Sequence, residues 1–150
     1  KIINSEFQGE VIKSDSSAGT LFYLLDLKQY QLSKSQSSLC KITASFMNSS
    51  EQSTRYGMRL FALRENFEFP KKQTSAKWLY EESLSMSNNM VPFTTKGQWQ
   101  PMTTELILPI QSRYVMLSLN VHYPNNDGQK MTYFKNHYVD DISVTFSNIQ

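Results

Sequence analysis

The chain has 150 residues, of which 39% are hydrophobic and 13% aromatic, and its net charge is +2. This composition predicts one domain with a sizeable core, spanning residues 1–150. The basic residues form no stripe of the kind that binds nucleic acid, and no apolar run reaches the roughly 18 residues of a membrane-spanning helix. Because the chain starts at Lys1 rather than at Met, we expect it to be part of a larger exported protein.

Short runs of alternating polar and apolar residues dominate the chain, and helical periodicity is scarce. An alternation with a period of two is typical of a half-buried strand. The predicted strands are residues 20–27, 39–47, 56–63, 99–108, 113–123 and 138–146. The segment 65–75 and the Asn88-Asn89 pair are predicted to be loops, whereas residues 79–86 fit a short helix or a strand equally well. The pattern predicts an all-β protein, a two-sheet antiparallel β-sandwich.

The alternation also predicts which side chains face the core. Cys40 is predicted to be buried as a small hydrophobe, and the last strand is predicted to turn Tyr138 and Asp140 inward together with the apolar residues that follow. On strand 113–123 the even-numbered side chains form a more polar face, which is either solvated or part of a groove. The predicted core residues are Ile42, Phe46, Leu60, Leu117, Leu119, Ile142 and Val144.

The second half of the chain contains several stretches in a distinctive order. They are Lys96-Gly97-Gln98, Trp99-Gln100-Pro101, Leu106-Ile107-Leu108-Pro109, Arg113-Tyr114-Val115 and Tyr138-Val139-Asp140-Asp141-Ile142. This order resembles that of the carbohydrate-binding-module and galactose-binding-like jelly-roll superfamily. The segment Asn4-Ser5-Glu6-Phe7-Gln8 is similar to the opening strand of that superfamily, with Gln8 where an acid is usual. The resemblance implies a jelly roll, and it says more about the fold than about the ligand.

The resemblance also implies a structural calcium ion. In related modules an Asp at the position of Asp140 helps to hold Ca²⁺ against the first strand, and here Glu6 and the side-chain oxygen of Gln8 would assist it. A carboxylate that faces the core needs a counter-charge, a metal or several hydrogen-bond donors. The alternative is that Asp140 accepts backbone N–H bonds and closes a corner.

Candidate ligand-binding residues are aromatic or lie on the polar face of a strand. Sugar rings stack on aromatic faces while nearby polar groups fix their orientation. Trp78 and Tyr80 follow a polar segment and are predicted to be exposed. Tyr114, Asn120 and His122 share the polar face of strand 113–123 and would line a groove if that face is open. Trp99, at the head of a strand, is predicted to pack in the core.

Catalytic motifs are absent from the sequence. It has two histidines and one cysteine, which make an incomplete zinc site, and no Gly-x-Ser-x-Gly turn or glycine-rich phosphate loop is present. Glu81 and Glu82 are adjacent, so on a strand they would point to opposite faces. We therefore predict that the chain is not an enzyme, although a degenerate hydrolase-like jelly roll remains a third alternative to the two binding functions below.

The favoured function is a non-catalytic carbohydrate-binding-like module that positions an exported protein on a glycan or cell-surface polysaccharide. The alternative is a protein-interaction or spacer domain of an envelope receptor, adhesin or regulator that binds no sugar. Either function predicts a secreted, cell-surface or periplasmic location. Exposed aromatic side chains would favour the first function, and a flat apolar patch would favour the second.

Overall fold

The structure, a computed structural model, describes residues 11–13, 20–49, 55–68, 77–92, 96–122 and 137–149. Within them, eight strands, one α-helix and a short 3-10 helix at Leu27–Gln29 are formed. The strands and helix are β1 (Val11–Lys13), β2 (Thr20–Asp26), β3 (Ser38–Asn48), β4 (Arg55–Leu63), α1 (Lys77–Glu82), β5 (Ser85–Pro92), β6 (Gln100–Leu108), β7 (Tyr114–His122) and β8 (His137–Asn148). Among these residues, no helix is both long enough and apolar enough to cross a membrane.

The strands form two antiparallel sheets, so the predicted two-sheet sandwich is confirmed. The larger sheet has five strands in the order β1-β2-β7-β4-β5, and the smaller has three in the order β6-β3-β8. All six predicted strands are present with bounds that differ by one or two residues. Consecutive strands repeatedly change sheet, as β2, β3 and β4 do, so the strand pairings join distant parts of the chain.

The main core lies between the inward faces of the two sheets. Phe46 of β3 stacks on Tyr56 of β4 with ring centroids 4.5 Å apart, so aromatic side chains from opposite sheets meet there. Burial also raises the pKa of the Cys40 thiol to about 12, which keeps it protonated. All of the predicted core residues are buried except Val144, which is partly buried against the same cluster.

The five-stranded sheet is also buried on the central part of its outer face. A second cluster of Phe22, Phe61, Leu63, Leu79 and Met116 lies there, and α1 supplies its Leu79. On β7, Ser118 and Asn120 are only 2% and 3% exposed. The expectation that this polar face of β7 is solvated or forms an open groove is therefore wrong, because the face is covered.

Strand β5 occupies a segment in which the Asn88-Asn89 pair predicted a loop, and that prediction is wrong. The amide of Asn89 donates a hydrogen bond to the carbonyl of Thr103 at 2.8 Å, and the hydroxyl of Ser85 donates one to the carbonyl of Ile107, also at 2.8 Å. Polar side chains of β5 thus bind backbone carbonyls of β6 and link the two sheets on this side of the sandwich. The helix ends at Glu82, so residues 79–86 divide between helix and strand.

Strand β8 contains a β-bulge at Asp141 and Ile142. Thr43 of β3 pairs with Ser143 and Ser45 pairs with Asp140, so a single residue of β3 faces two residues of β8. Asp141 has a φ of 51°, and its N–H donates to Asp140 Oδ1 at 2.9 Å. The extra residue reverses the alternation, so Ile142 faces the core as predicted, whereas Tyr138 is exposed. The prediction that Tyr138 and Asp140 face inward is wrong for this reason.

Candidate functional site

The outer face of the three-stranded sheet is the part of the described surface that displays an ordered array of side chains. Strand β3 lies at its centre, and its buried side chains alternate with half-buried or exposed ones. Because neighbouring strands are in register, the outward side chains form rows that cross the sheet. These rows differ in character from one end of the sheet to the other.

The row at one end consists of Trp99, Met47 and Tyr138, and we call it the aromatic row. Met47 pairs with Tyr138, and Phe46 pairs with Gln100, so Trp99, the residue before Gln100, lies at the same end of the sheet as Met47. Trp99 is 48% exposed and Tyr138 45%, which leaves much of each ring accessible. Two strand spacings separate these aromatic residues, or about 10 Å between their backbones.

Trp99 is held in place by contacts of the turn and strand on either side of it. Gly97 has a φ of 73°, a left-handed conformation that glycine adopts without strain. Its N–H donates to the carbonyl of Asn48 on β3 at 2.8 Å. The side-chain amide of Gln100 donates to the carbonyl of Pro92 at 3.0 Å. These two bonds tie the start of β6 to β3 and to the end of β5.

Tyr138 directly follows His137, which makes a buried polar contact between the two sheets. A hydrogen bond of 2.8 Å joins the Tyr56 hydroxyl of β4 to Nδ1 of His137 on β8, and His137 is only 5% exposed. Burial lowers the pKa of His137 to about 4, so the ring is neutral near pH 7. His137 therefore fixes the start of β8 from the inside while Tyr138 faces outward.

Polar side chains flank the aromatic row. The next row along the sheet contains Ser45 paired with Asp140, which supplies a hydroxyl and a carboxylate. In the row after it, the hydroxyls of Thr43 and Thr103 hydrogen-bond to each other at 3.0 Å. Exposed aromatic rings beside hydroxyl and carboxylate groups can contact a sugar ring and accept hydrogen bonds from its substituents. The arrangement has the chemistry of a binding surface.

Of the five predicted ligand-binding residues, Asn120, Tyr114 and Tyr80 have side chains that the structure describes. Asn120 is buried, and its amide donates to the hydroxyl of Ser118 at 3.4 Å. Tyr114 is half-buried with the Arg113 guanidinium 4.5 Å from its ring centre. Tyr80 is exposed on α1, where its ring lies edge-on to that of Phe61. Trp78 belongs to α1 and His122 to β7, but their side chains fall outside the described residues.

The predicted calcium ligands are described only in part. Glu6 and Gln8 lie outside the described residues, and Asp140 is half-buried with one oxygen engaged by the N–H of Asp141. Within the described ranges, no three Asp, Glu, His or Cys residues cluster closely enough to hold a metal. Because Asp140 is half-buried and does not face the core, its burial alone does not require a metal. Calcium binding stays a prediction that rests on the resemblance.

Trp99 is the functional candidate that the sequence interpretation placed wrongly, because it was expected in the core. The alternation of β6 nevertheless predicts that Trp99 faces outward. Met102, Thr104, Leu106 and Leu108 are buried, so odd-numbered positions face outward, and Trp99 belongs to that phase. The exposure of Tyr138 depends on the bulge and has no comparable signal in the sequence.

The chain matches no protein-family model and no curated protein. The arrangement of its own side chains is therefore the guide to its function. The aromatic row and its polar neighbours form the candidate binding surface.

Proposed function

We propose that this chain is a non-catalytic carbohydrate-binding module that positions an exported protein on a glycan. The observation that carries the proposal is the aromatic row, with Trp99 and Tyr138 exposed on either side of Met47. The resemblance of the sequence to carbohydrate-binding and galactose-binding-like jelly rolls supports the same function. A secreted, cell-surface or periplasmic location is part of the proposal, because extracellular glycans are found there.

The geometry favours an extended saccharide that lies across the strands. Its rings would stack on Trp99 and Tyr138, whose backbones are about 10 Å apart. Met47 between them offers a flexible apolar surface that adapts to the ligand. Beside the row, the hydroxyl of Ser45 would donate or accept hydrogen bonds with sugar hydroxyls, and the carboxylate of Asp140 would accept them.

Binding to a panel of polysaccharides tests the proposal. Retention on insoluble cellulose, chitin and mannan, followed by calorimetry with soluble oligosaccharides, would identify a ligand. We expect Trp99→Ala and Tyr138→Ala each to weaken binding about tenfold, equivalent to ~1.4 kcal/mol. Neither substitution should unfold the protein, since exposed side chains contribute little to stability.

Tyr80→Ala is the matched control, because Tyr80 is similarly exposed but lies on α1, over the other sheet. It should bind as tightly as the wild type. Equal binding by the wild type, Trp99→Ala and Tyr138→Ala would remove the aromatic row as the site. If no glycan in a broad panel is retained by the wild type, the carbohydrate proposal itself is wrong.

A second function, protein interaction without sugar binding, is favoured by a different surface. Met86 and Met90 of β5 are 40% and 36% exposed and lie in the same outward phase of that strand. Arg59 of β4 lies beside them, with its guanidinium 6.0 Å from the ring centre of Tyr80. Exposed methionines near an aromatic ring and an arginine are typical of protein interfaces. Self-association that Met86→Gln and Met90→Gln abolish in sedimentation experiments would support this function.

A further inference from the structure

The outer face of the three-stranded sheet continues well beyond the aromatic row. Three further rows cross it where β3 pairs with β6, and their side chains carry hydroxyl, charged and apolar groups in turn. They are Thr43 with Thr103, Lys41 with Glu105, and Leu39 with Ile107. On β8 the same rows end in the hydroxyl side chains of Ser143, Thr145 and Ser147. Because the side chains on β8 are short, a second sheet can approach β3 and β6 closely.

The row of Leu39 and Ile107 is apolar and partly uncovered. Of the large hydrophobic side chains that the structure describes, Ile107 is the most exposed, at 57%, and Leu39 beside it is half-buried. The position of Ile107 is fixed, because its carbonyl accepts the hydrogen bond from Ser85 on β5. Covering an ordered apolar side chain removes its surface from water with little further loss of conformational entropy. The row therefore fits a partner that places apolar side chains over it.

The neighbouring row carries two opposite charges. Lys41 and Glu105 are both exposed, and paired residues on adjacent strands have Cβ atoms about 5 Å apart. Neither side chain forms an ion pair with any residue in the described part of the chain. A partner that packs on this face must therefore present a negative charge to Lys41 and a positive charge to Glu105.

A second copy of the chain meets these requirements together. A two-fold axis that runs parallel to the strands, midway between β3 and β6, places each residue of β3 over the residue of β6 with which it pairs. Lys41 then lies over Glu105 of the second copy, and Leu39 lies over Ile107 of the second copy. An axis along β3 itself would place Lys41 over Lys41 of the second copy. Charge complementarity therefore selects the axis between the two strands.

The size of this contact fits a weak dimer. Strand β6 has nine residues, and with its partners on β3 it presents roughly 300 Å² of projected face, at about 3.3 Å per residue and 4.8 Å per strand. The two copies together would cover roughly 600 Å². Weak and transient interfaces bury less than about 1,200 Å². We therefore expect association at high micromolar to millimolar concentration.

We propose that the outer face of the three-stranded sheet is a self-association surface, on which a second copy of this chain docks about a two-fold axis between β3 and β6. The strands of the two copies are nearly aligned, at the angle of about 30° that sheet twist imposes on stacked sheets. Because the axis is parallel to the strands, the aromatic rows of the two copies meet at the same end and cover each other. The proposal does not depend on glycan binding, although a saccharide on this face and a second copy would exclude each other.

Sedimentation equilibrium up to millimolar concentration tests the proposal, and a monomer–dimer equilibrium is expected. Lys41→Glu and Glu105→Lys should each weaken the dimer about tenfold, because each brings like charges into contact. An equimolar mixture of these two variants should form a heterodimer at least as stable as the wild-type dimer, since one face is then acidic and the other basic. Both residues are exposed, so the variants should fold, which circular dichroism checks.

Lys34→Glu is the matched control, because it changes the net charge as Lys41→Glu does but lies outside the strands. It should associate like the wild type, and its mixture with Glu105→Lys should form no stabilised heterodimer. Ile107→Gln should weaken association, whereas Met86→Gln on the other sheet should not. A wild-type chain that stays monomeric at millimolar concentration would overturn the proposal and leave glycan binding untouched. Association that Met86→Gln abolishes and Lys41→Glu leaves unchanged would overturn it too.

Discussion

The central strands of the two sheets, β7 and β3, lie in contrasting environments. Every side chain of β7 from Val115 to Val121 is buried, including the polar Ser118 and Asn120. On β3, the buried side chains alternate with half-buried or exposed ones. The difference comes from the outer faces of the two sheets, because on the larger sheet the second cluster, with Leu79 of α1, buries the outward side chains of the central strands, whereas Met86 and Met90 at its β5 edge stay exposed. Side chains of the smaller sheet remain available to a ligand.

The largest expected effect tests whether β7 is packed on both faces. Leu117→Ala on the inner face and Met116→Ala on the outer face should each lower the free energy of unfolding by about 2–5 kcal/mol. Thr43→Ala on the outer face of β3 should cost only about 1 kcal/mol, the value of one hydrogen bond. Urea denaturation measures all three. A loss for Met116→Ala as small as that for Thr43→Ala would show that the two outer faces do not differ.

The second prediction concerns the hydrogen bond between the sheets. Burial lowers the pKa of His137 from 6.5 to about 4 in the folded protein. Between these pH values the unfolded state binds more protons, so the free energy of unfolding falls as the pH is lowered from 6.5 to 4. Over this whole pH range the free energy of unfolding falls by about 3 kcal/mol on account of His137, at ~1.36 kcal/mol per pH unit.

Chemical denaturation at several pH values measures this effect, and the variant His137→Gln isolates it from the carboxylates. The variant should show a shallower loss of stability over the same pH range. Identical slopes for the variant and the wild type would mean that His137 takes up its proton equally in both states.

The third prediction concerns Asp140 on β8, at the edge of the smaller sheet. If calcium binds there, the melting temperature should rise with added calcium and fall with chelator, because the metal binds only the folded state. The gain is about 2.7 kcal/mol at one hundred times the dissociation constant. Asp140→Ala should abolish the response, and Glu105→Gln, on the same outer face, should keep it. Identical melting in chelator and in millimolar calcium would exclude the site.

The smallest expected effect tests the bulge. Asp141 has a positive φ, which a β-branched side chain adopts with difficulty, so Asp141→Val should cost about 1–2 kcal/mol. Asp141→Gly should change stability by less than about 0.5 kcal/mol, since glycine takes this conformation without strain. Thermal melts of both variants measure the difference. Equal stability of the two would show that the backbone there is not left-handed in solution.

Much of the fold could be predicted because the alternation of polar and apolar residues is a direct consequence of strand geometry. The strand around Ile42 and Phe46 was located by that pattern alone. The pattern failed where polar side chains have partners inside the molecule. Asn89 reads as a loop residue, yet it lies in β5 because its amide binds the carbonyl of Thr103. The same explanation holds for Asn120, which is buried on β7 and whose amide donates a hydrogen bond to the hydroxyl of Ser118.

The candidate site was harder to predict than the fold. The exposure of Trp99 could have been predicted from Leu106 and Leu108. Even-numbered side chains of β6 face the core, and the alternation extends to the residue before the strand. The exposure of Tyr138 could not have been predicted in this way. One extra residue in β8 reverses which side chains face outward, and the sequence does not mark where a bulge occurs.

The bulge in β8 has a further consequence for how separate molecules meet. Among the described residues, strand β8 is one edge of the three-stranded sheet, and a straight edge strand can recruit a strand from another chain. The bulge bends the edge and increases its twist, and it places the charges of Asp140 and Asp141 at the bend. An added strand would lose its register there and meet two carboxylates. The irregularity that brings Tyr138 to the surface therefore also protects the open edge from growing into an aggregate.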